Sequence, residues 1–94
     1  MNEKILKIGL IGLGSMGQNH LRILSILRSV SLEFIYDANF QKASELAQLH
    51  GTSAFQTIDE ALSMPIDAVV ICTPTSSHFE YIKNVSKYTK NIFV

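Results

Sequence analysis

Apolar runs and helical stripes alternate along this chain. The first run, about Lys4–Ile11, has the density of a strand buried on both faces and ends in a cluster of glycines. Behind it Met16, His20, Ile23, Leu24 and Leu27 recur at i, i+4, i+7, i+8 and i+11. That spacing predicts a helix over about Ser15–Ser29 with the stripe turned to the core. Leu32–Tyr36 reads as a second strand. A helix is predicted over Phe40–His50, capped by Asn39 and stopped by Gly51, with Phe40, Ala43, Leu46 and Ala47 facing inward. Ser53–Phe55 predicts a short third strand. Thr57 and Glu60 have capping-box spacing, so a short helix is expected over about Ile58–Ser63, after which Pro65 resets the chain. Ala68–Cys72 is a fourth strand, apolar on both faces. Ser77 and Glu80 repeat the capping-box spacing and predict a helix to about Tyr88 with Phe79, Ile82 and Val85 as its stripe. Asn91–Val94 begins a fifth strand.

Such alternation implies right-handed βαβ units and a parallel sheet covered on both faces. With 94 residues the chain makes one small α/β domain with a modest core. Eight basic and eight acidic residues cancel, and no basic face emerges. Nucleic acid and membrane are therefore not expected partners. No apolar run reaches the roughly 18 residues of a membrane span. The one cysteine, Cys72, rules out an internal disulfide and points to a cytoplasmic location. Lys4 and Lys7 ahead of apolar residues also resemble the start of a signal peptide. Three glycines at fixed spacing and the polar Gln18-Asn19-His20 directly after them argue against that reading.

The chemistry concentrates where the first strand ends. Gly12-x-Gly14-x-x-Gly17 joins that strand to the first helix, and Asp37 follows 20 residues after Gly17, just past the second strand. Strand, glycine loop, helix, strand and acid in that order form a dinucleotide-binding fingerprint. Gly12 allows the tight turn, Gly14 lets a pyrophosphate approach the backbone, and Gly17 lets the helix pack against the sheet. The free N–H groups near Ser15, Met16 and Gly17 then face the phosphates. Asp37 accepts hydrogen bonds from the adenosine ribose and disfavours a 2′-phosphate. No Arg or Lys stands beside it, so NAD is expected over NADP. The bland alternatives are packing for the glycines and a turn started by Asp37 with Asn39.

A three-layer Rossmann fold of this kind orders its strands 3-2-1-4-5, with the ligand crevice at the carboxyl ends of strands one and four. The rule puts Gly12–Gly17 and Thr73–His78 on the same rim. In the second loop Pro74 stiffens the exit from the sheet, and Thr73 and Thr75 offer polar groups to a ribose or nicotinamide. His78 lies at the start of the next helix. The alternative is that Thr75 to Ser77 only cap that helix and His78 is solvated. Cys72 reads as a structural thiol, since an apolar strand end raises its pKa and no His–Asp partner is evident. His20, His50 and His78 lie on different elements, so no metal site is expected.

The stretch Gly9-Leu10-Ile11-Gly12-Leu13-Gly14-Ser15-Met16-Gly17-Gln18-Asn19-His20-Leu21-Arg22, with Tyr36-Asp37 and Val70-Ile71-Cys72-Thr73-Pro74-Thr75-x-x-His78, resembles the glucose–fructose oxidoreductase / inositol dehydrogenase / MocA family. The likeness covers essentially the whole chain. It implies an N-terminal NAD(P)-binding Rossmann domain followed by a larger α/β domain. It also implies hydride transfer between the nicotinamide and a carbinol carbon of a sugar, inositol or related polyol. By the same resemblance Gly12, Gly14 and Gly17 cradle the pyrophosphate, Asp37 holds the ribose, and Thr73, Pro74, Thr75 and His78 line the cofactor. His20 matches a frequent family residue, although its helical spacing reads as a packed or capping histidine.

In that family the fifth strand runs into Glu-Lys-Pro, whose lysine is catalytic, and a second acid–base residue, usually His, comes from the following domain. The present chain reaches Val94 where the tripeptide would begin, and Lys90 precedes the strand and is not the counterpart of that lysine. Two readings follow. In one, residues 1–94 are the cofactor domain of a longer oxidoreductase, without catalytic residues and inactive alone. In the other they are a self-contained NAD(H)-sensing or regulatory module. A chain stopping inside an apolar strand favours the first, and its open strand edge predicts a homo-oligomer.

Overall fold

The sheet forms where the apolar runs fall. The computed structural model describes residues 5–88 and 91–94, with side chains throughout except at 75–78. In chain order the elements are β1 (Leu6–Ile11), α1 (Ser15–Ile26), β2 (Val30–Tyr36), α2 (Phe40–His50), α3 (Ile58–Leu62), β3 (Ala68–Ile71), α4 (Thr75–Val85) and β4 (Ile92–Phe93). Lys4, expected to open the first strand, lies outside the described residues. All pairings are parallel and the order is β2-β1-β3-β4. Among the described residues no helix is long and apolar enough to cross a membrane.

The expected third strand is reduced to a single bridge. Ala54 forms a parallel bridge to Ile35 of β2, and the Ile35 N–H donates to the Ser53 carbonyl at 2.9 Å. The Thr52 hydroxyl adds a bond to the Leu32 carbonyl at 2.8 Å. The segment lies on the edge that the order 3-2-1-4-5 assigns to it, but it is too short for a ladder. Gly51 closes α2 in the left-handed region at φ 71°, and Thr57 already caps α3, its hydroxyl and Glu60 forming the expected capping box.

Two apolar clusters cover the two faces of the sheet. Leu10, Leu13 and Ile35 pack with Leu21 of α1 and Ala43 and Ala47 of α2. Ile11, Phe34, Val69 and Ile71 pack with Ala61 and Leu62 of α3 and Val85 of α4. Each fully buried Leu or Ile contributes about 1.5–3 kcal/mol. The α2 face agrees with the sequence pattern, with Asn39 Oδ1 accepting from the Lys42 N–H as its cap.

Two helical faces differ from expectation. In α1 the buried residues are Gly17 and Leu21, whereas Met16, Ile23 and Leu27 are exposed. A helix whose Gly17 lies against the Gly12 backbone must turn positions 17 and 21 to the sheet, and this rotates the Met16–His20 stripe outward. The helix also ends at Ile26, because Leu27 is extended and Val30 and Ser31 pair with Leu6 and Lys7. In α4 the chain turns helical at Thr75, with Pro74 at the cap position and no side-chain cap, so Ser77 falls inside the first turn. That start sets the face, leaving Phe79 exposed while Tyr81 and Ile82 pack beside Val85.

Gly9 shows why the centre of β1 carries no side chain. The β1–β2 register slips between Ile8 and Gly9, which leaves Glu33 as an extra residue and sets Gly9 opposite Phe34. A methyl on Gly9 would stand 2.9 Å from Phe34 Cε1 and closer still to Cε2 and Cζ. Gly9→Ala is therefore expected to cost about 1–3 kcal/mol by overpacking. Adding Phe34→Leu should recover part of that loss. Denaturant unfolding of the single and double variants measures the coupling, and additive losses would contradict it.

Candidate functional site

Three strand ends meet at one rim. Gly12 leaves β1, Asp37 leaves β2 and Cys72–Pro74 leave β3, all at the carboxyl end of the parallel sheet. Between β1 and β3 the connections part to opposite sides, the place where open α/β sheets bind ligands.

Gly12 has φ 97°, the left-handed side of backbone space, and its N–H donates to the Tyr36 carbonyl at 2.8 Å. A side chain there would meet Cys72 C at 2.7 Å and Thr73 N at 2.8 Å, so the two loops touch backbone to backbone. Gly17 packs onto Gly12 in the same way. Gly14 differs, since nothing lies within 4 Å of the position its Cβ would take. The residue is exposed and faces open space beside the start of α1.

That start is uncapped. Gly14 occupies the cap position with no side-chain bond and no acid follows in the first turn. The first helical bond is from the Gln18 N–H to the Gly14 carbonyl at 2.9 Å. The N–H groups of Ser15, Met16 and Gly17 thus lie at the open end of the helix, where its dipole favours an anion. Ser15 and Met16 are exposed, as a phosphate contact needs.

Asp37 is already engaged. Its Oδ1 accepts the Leu13 N–H and its Oδ2 the Asn39 N–H, each at 2.9 Å. The turn with Asn39 is present, and a carboxylate with about four acceptor positions still has about two for a ligand. Sequence reasoning missed three other contributors. Leu13 is fully buried, and its carbonyl accepts from Gln18 Nε2 at 3.0 Å. Nothing in the motif distinguishes this residue from any other x. Tyr36 and Tyr81 stack edge to face with centroids 6.3 Å apart. Burial, with Tyr36, Asp37 and Glu80 nearby, pushes the Tyr81 phenol above its usual pKa.

On the second loop, Thr73 is half-buried and Pro74 is exposed. Thr75 lies with His78 in the first turn of α4, their side chains outside the described residues. Burial raises the Cys72 thiol, in line with a structural role. Next to the rim a cleft of about 440 Å³ opens, lined by Met16, His20, Leu24, Cys72, Thr73 and Phe93 among others. His20 is exposed at this cleft and not packed, for the same rotation that exposes Met16. The Thr73 hydroxyl oxygen is buried with no hydrogen-bond partner among the described residues. A buried orphan hydroxyl, an uncapped helix end and an open Gly14 are what a dinucleotide would complete.

Residues 6–94 match the profile of a family described as oxidoreductases with an NAD-binding Rossmann fold. Over 88 residues the chain is 35% identical to inositol 2-dehydrogenase of Rhizobium meliloti (strain 1021), covering 93% of this chain and 26% of that enzyme. Over 74 residues it is 36% identical to UDP-N-acetylglucosamine 3-dehydrogenase of Acidithiobacillus ferrooxidans, covering 79% and 23%. The crystal structure of GenD2 from gentamicin A biosynthesis in complex with NAD superposes with a TM-score of 0.87 at 28% identity, over 95% of this chain and 26% of that one. The chain spans about a quarter of the length of the curated relatives it matches. Fold, glycine loop and sequence agree: this chain belongs to the glucose–fructose oxidoreductase, inositol dehydrogenase and MocA family of oxidoreductases, as its NAD-binding Rossmann part.

Proposed function

We propose that residues 1–94 form the cofactor domain of a cytoplasmic NAD-dependent dehydrogenase acting on a carbinol carbon of a sugar, inositol or related polyol. The observation that carries this reading is the convergence of an open Gly14, an uncapped α1 and Asp37 on one rim. When bound, NAD supplies the hydride acceptor. The residues of this chain bind and orient it. The N–H groups of Ser15, Met16 and Gly17 take the diphosphate, Asp37 takes the ribose hydroxyls, and Thr73 with Pro74, Thr75 and His78 lines the nicotinamide side. Acid–base groups come from elsewhere in the protein, so residues 1–94 alone bind cofactor and do not turn over. The relatives named as inositol and sugar dehydrogenases support the substrate class. The exposed Phe93 edge of β4 is where a further strand or a second subunit would join the sheet.

The test is cofactor selectivity. A hydrogen bond to a charged group is worth about 1.5–3 kcal/mol, and a 2′-phosphate beside Asp37 would meet like charge. Asp37→Ala is therefore expected to lower the ratio of NAD to NADP affinity at least about tenfold. Calorimetric titration with both cofactors reads the ratio, and an unchanged ratio would remove the ribose assignment.

A further inference from the structure

Each carboxylate oxygen of Asp37 accepts a backbone N–H. One donor, Leu13, is the middle residue of Gly12-Leu13-Gly14 and lies 24 residues earlier in the chain. Its side chain is fully buried and its carbonyl accepts from Gln18 Nε2. The residue between the two glycines is thus fixed by its side chain, its N–H and its carbonyl, while Gly14 beside it stays open. Of these ties only the Asp37 bond is charge-assisted, and such bonds are roughly twice as strong as neutral ones.

We propose that Asp37 is a positioning residue for the phosphate loop: its carboxylate ties Leu13 to Asn39 at the end of β2 and thereby sets the amides that open α1. The inference rests on the NAD-binding reading and adds a role that does not pass through the ribose. A group acting only on ribose hydroxyls has no favourable contact with a ligand that lacks a sugar. Deleting a carboxylate near an anion site also tightens anion binding through charge alone. The clamp acts in the opposite direction, so the sign of the effect separates the two roles.

Inorganic pyrophosphate is the probe. It is titrated into the intact protein and into D37A and D37N, following the amides of Ser15, Met16 and Gly17 by NMR, with NAD titrated in parallel. D37A is expected to weaken pyrophosphate about tenfold. D37N retains one side-chain carbonyl as acceptor and is expected to weaken it less, about threefold. It carries the test should D37A fail to fold. Equal or tighter pyrophosphate binding by a folded variant overturns the clamp. If the parent binds both ligands and the variants lose only NAD, the clamp fails and the NAD reading stands. If the parent binds neither at this loop, the NAD reading fails and the clamp with it.

Discussion

Gly17→Ala is expected to lower stability by about 2 kcal/mol or more and to remove measurable NAD binding. The added methyl would lie 2.8 Å from the Gly12 carbonyl carbon and closer still to its oxygen. Both are backbone atoms. Gly12 is held in turn by its N–H on Tyr36 and by the backbone of Cys72 and Thr73. No flexible side chain can move aside, so α1 must shift or the loop must open. Overpacking of this kind costs about 1–3 kcal/mol, occasionally more. The better helix propensity of alanine, about 1 kcal/mol, opposes it and is too small to win. A displaced α1 also moves the amides of Ser15 and Met16 away from the diphosphate. Denaturant unfolding and an NAD titration read the two effects together. A G17A protein as stable as its parent would mean that α1 does not lie against Gly12.

The same contact explains what the sequence could and could not reveal. Four of the five expected strands, the α2 boundaries with Asn39 and Gly51, and the Thr57–Glu60 cap depend on local chemistry and are found close to where the pattern puts them, whereas Ser53–Phe55 keeps only the Ala54 bridge. The inward face of α1 depends on where Gly17 meets Gly12, a tertiary fact. Hydropathy alone selects Met16, Ile23 and Leu27, which the structure exposes. The α4 start fails for a related reason, since Ser77 and Glu80 have the spacing of a cap while the chain is already helical from Thr75. The rim was legible through the glycine spacing and the position of Asp37. The hold on Leu13 was not, because it joins residues 24 apart through a backbone donor that no side-chain motif encodes.

Gly14→Ala should separate binding from folding: stability within about 0.5 kcal/mol of the parent, and NAD affinity about 100-fold weaker. Gly14 has φ −73° and ψ −166°, open to any residue, and its added methyl meets nothing within 4 Å. Two small effects on stability oppose each other. Alanine restricts the unfolded chain, worth about 0.4–1 kcal/mol, and it is a poorer helix cap than glycine by a similar amount. The space it fills, however, is the approach to the uncapped amides of α1. A diphosphate displaced there loses hydrogen bonds to a charged group worth about 1.5–3 kcal/mol, and 100-fold corresponds to about 2.7 kcal/mol. The two glycines, three residues apart, thus predict opposite signatures. Gly17 fails through the fold, and Gly14 fails with the fold intact. Thermal unfolding alongside calorimetric NAD titration of G14A measures both quantities. Undiminished affinity in that variant would mean that the diphosphate does not approach the loop at Gly14, and the assignment of the amides of Ser15, Met16 and Gly17 would go with it.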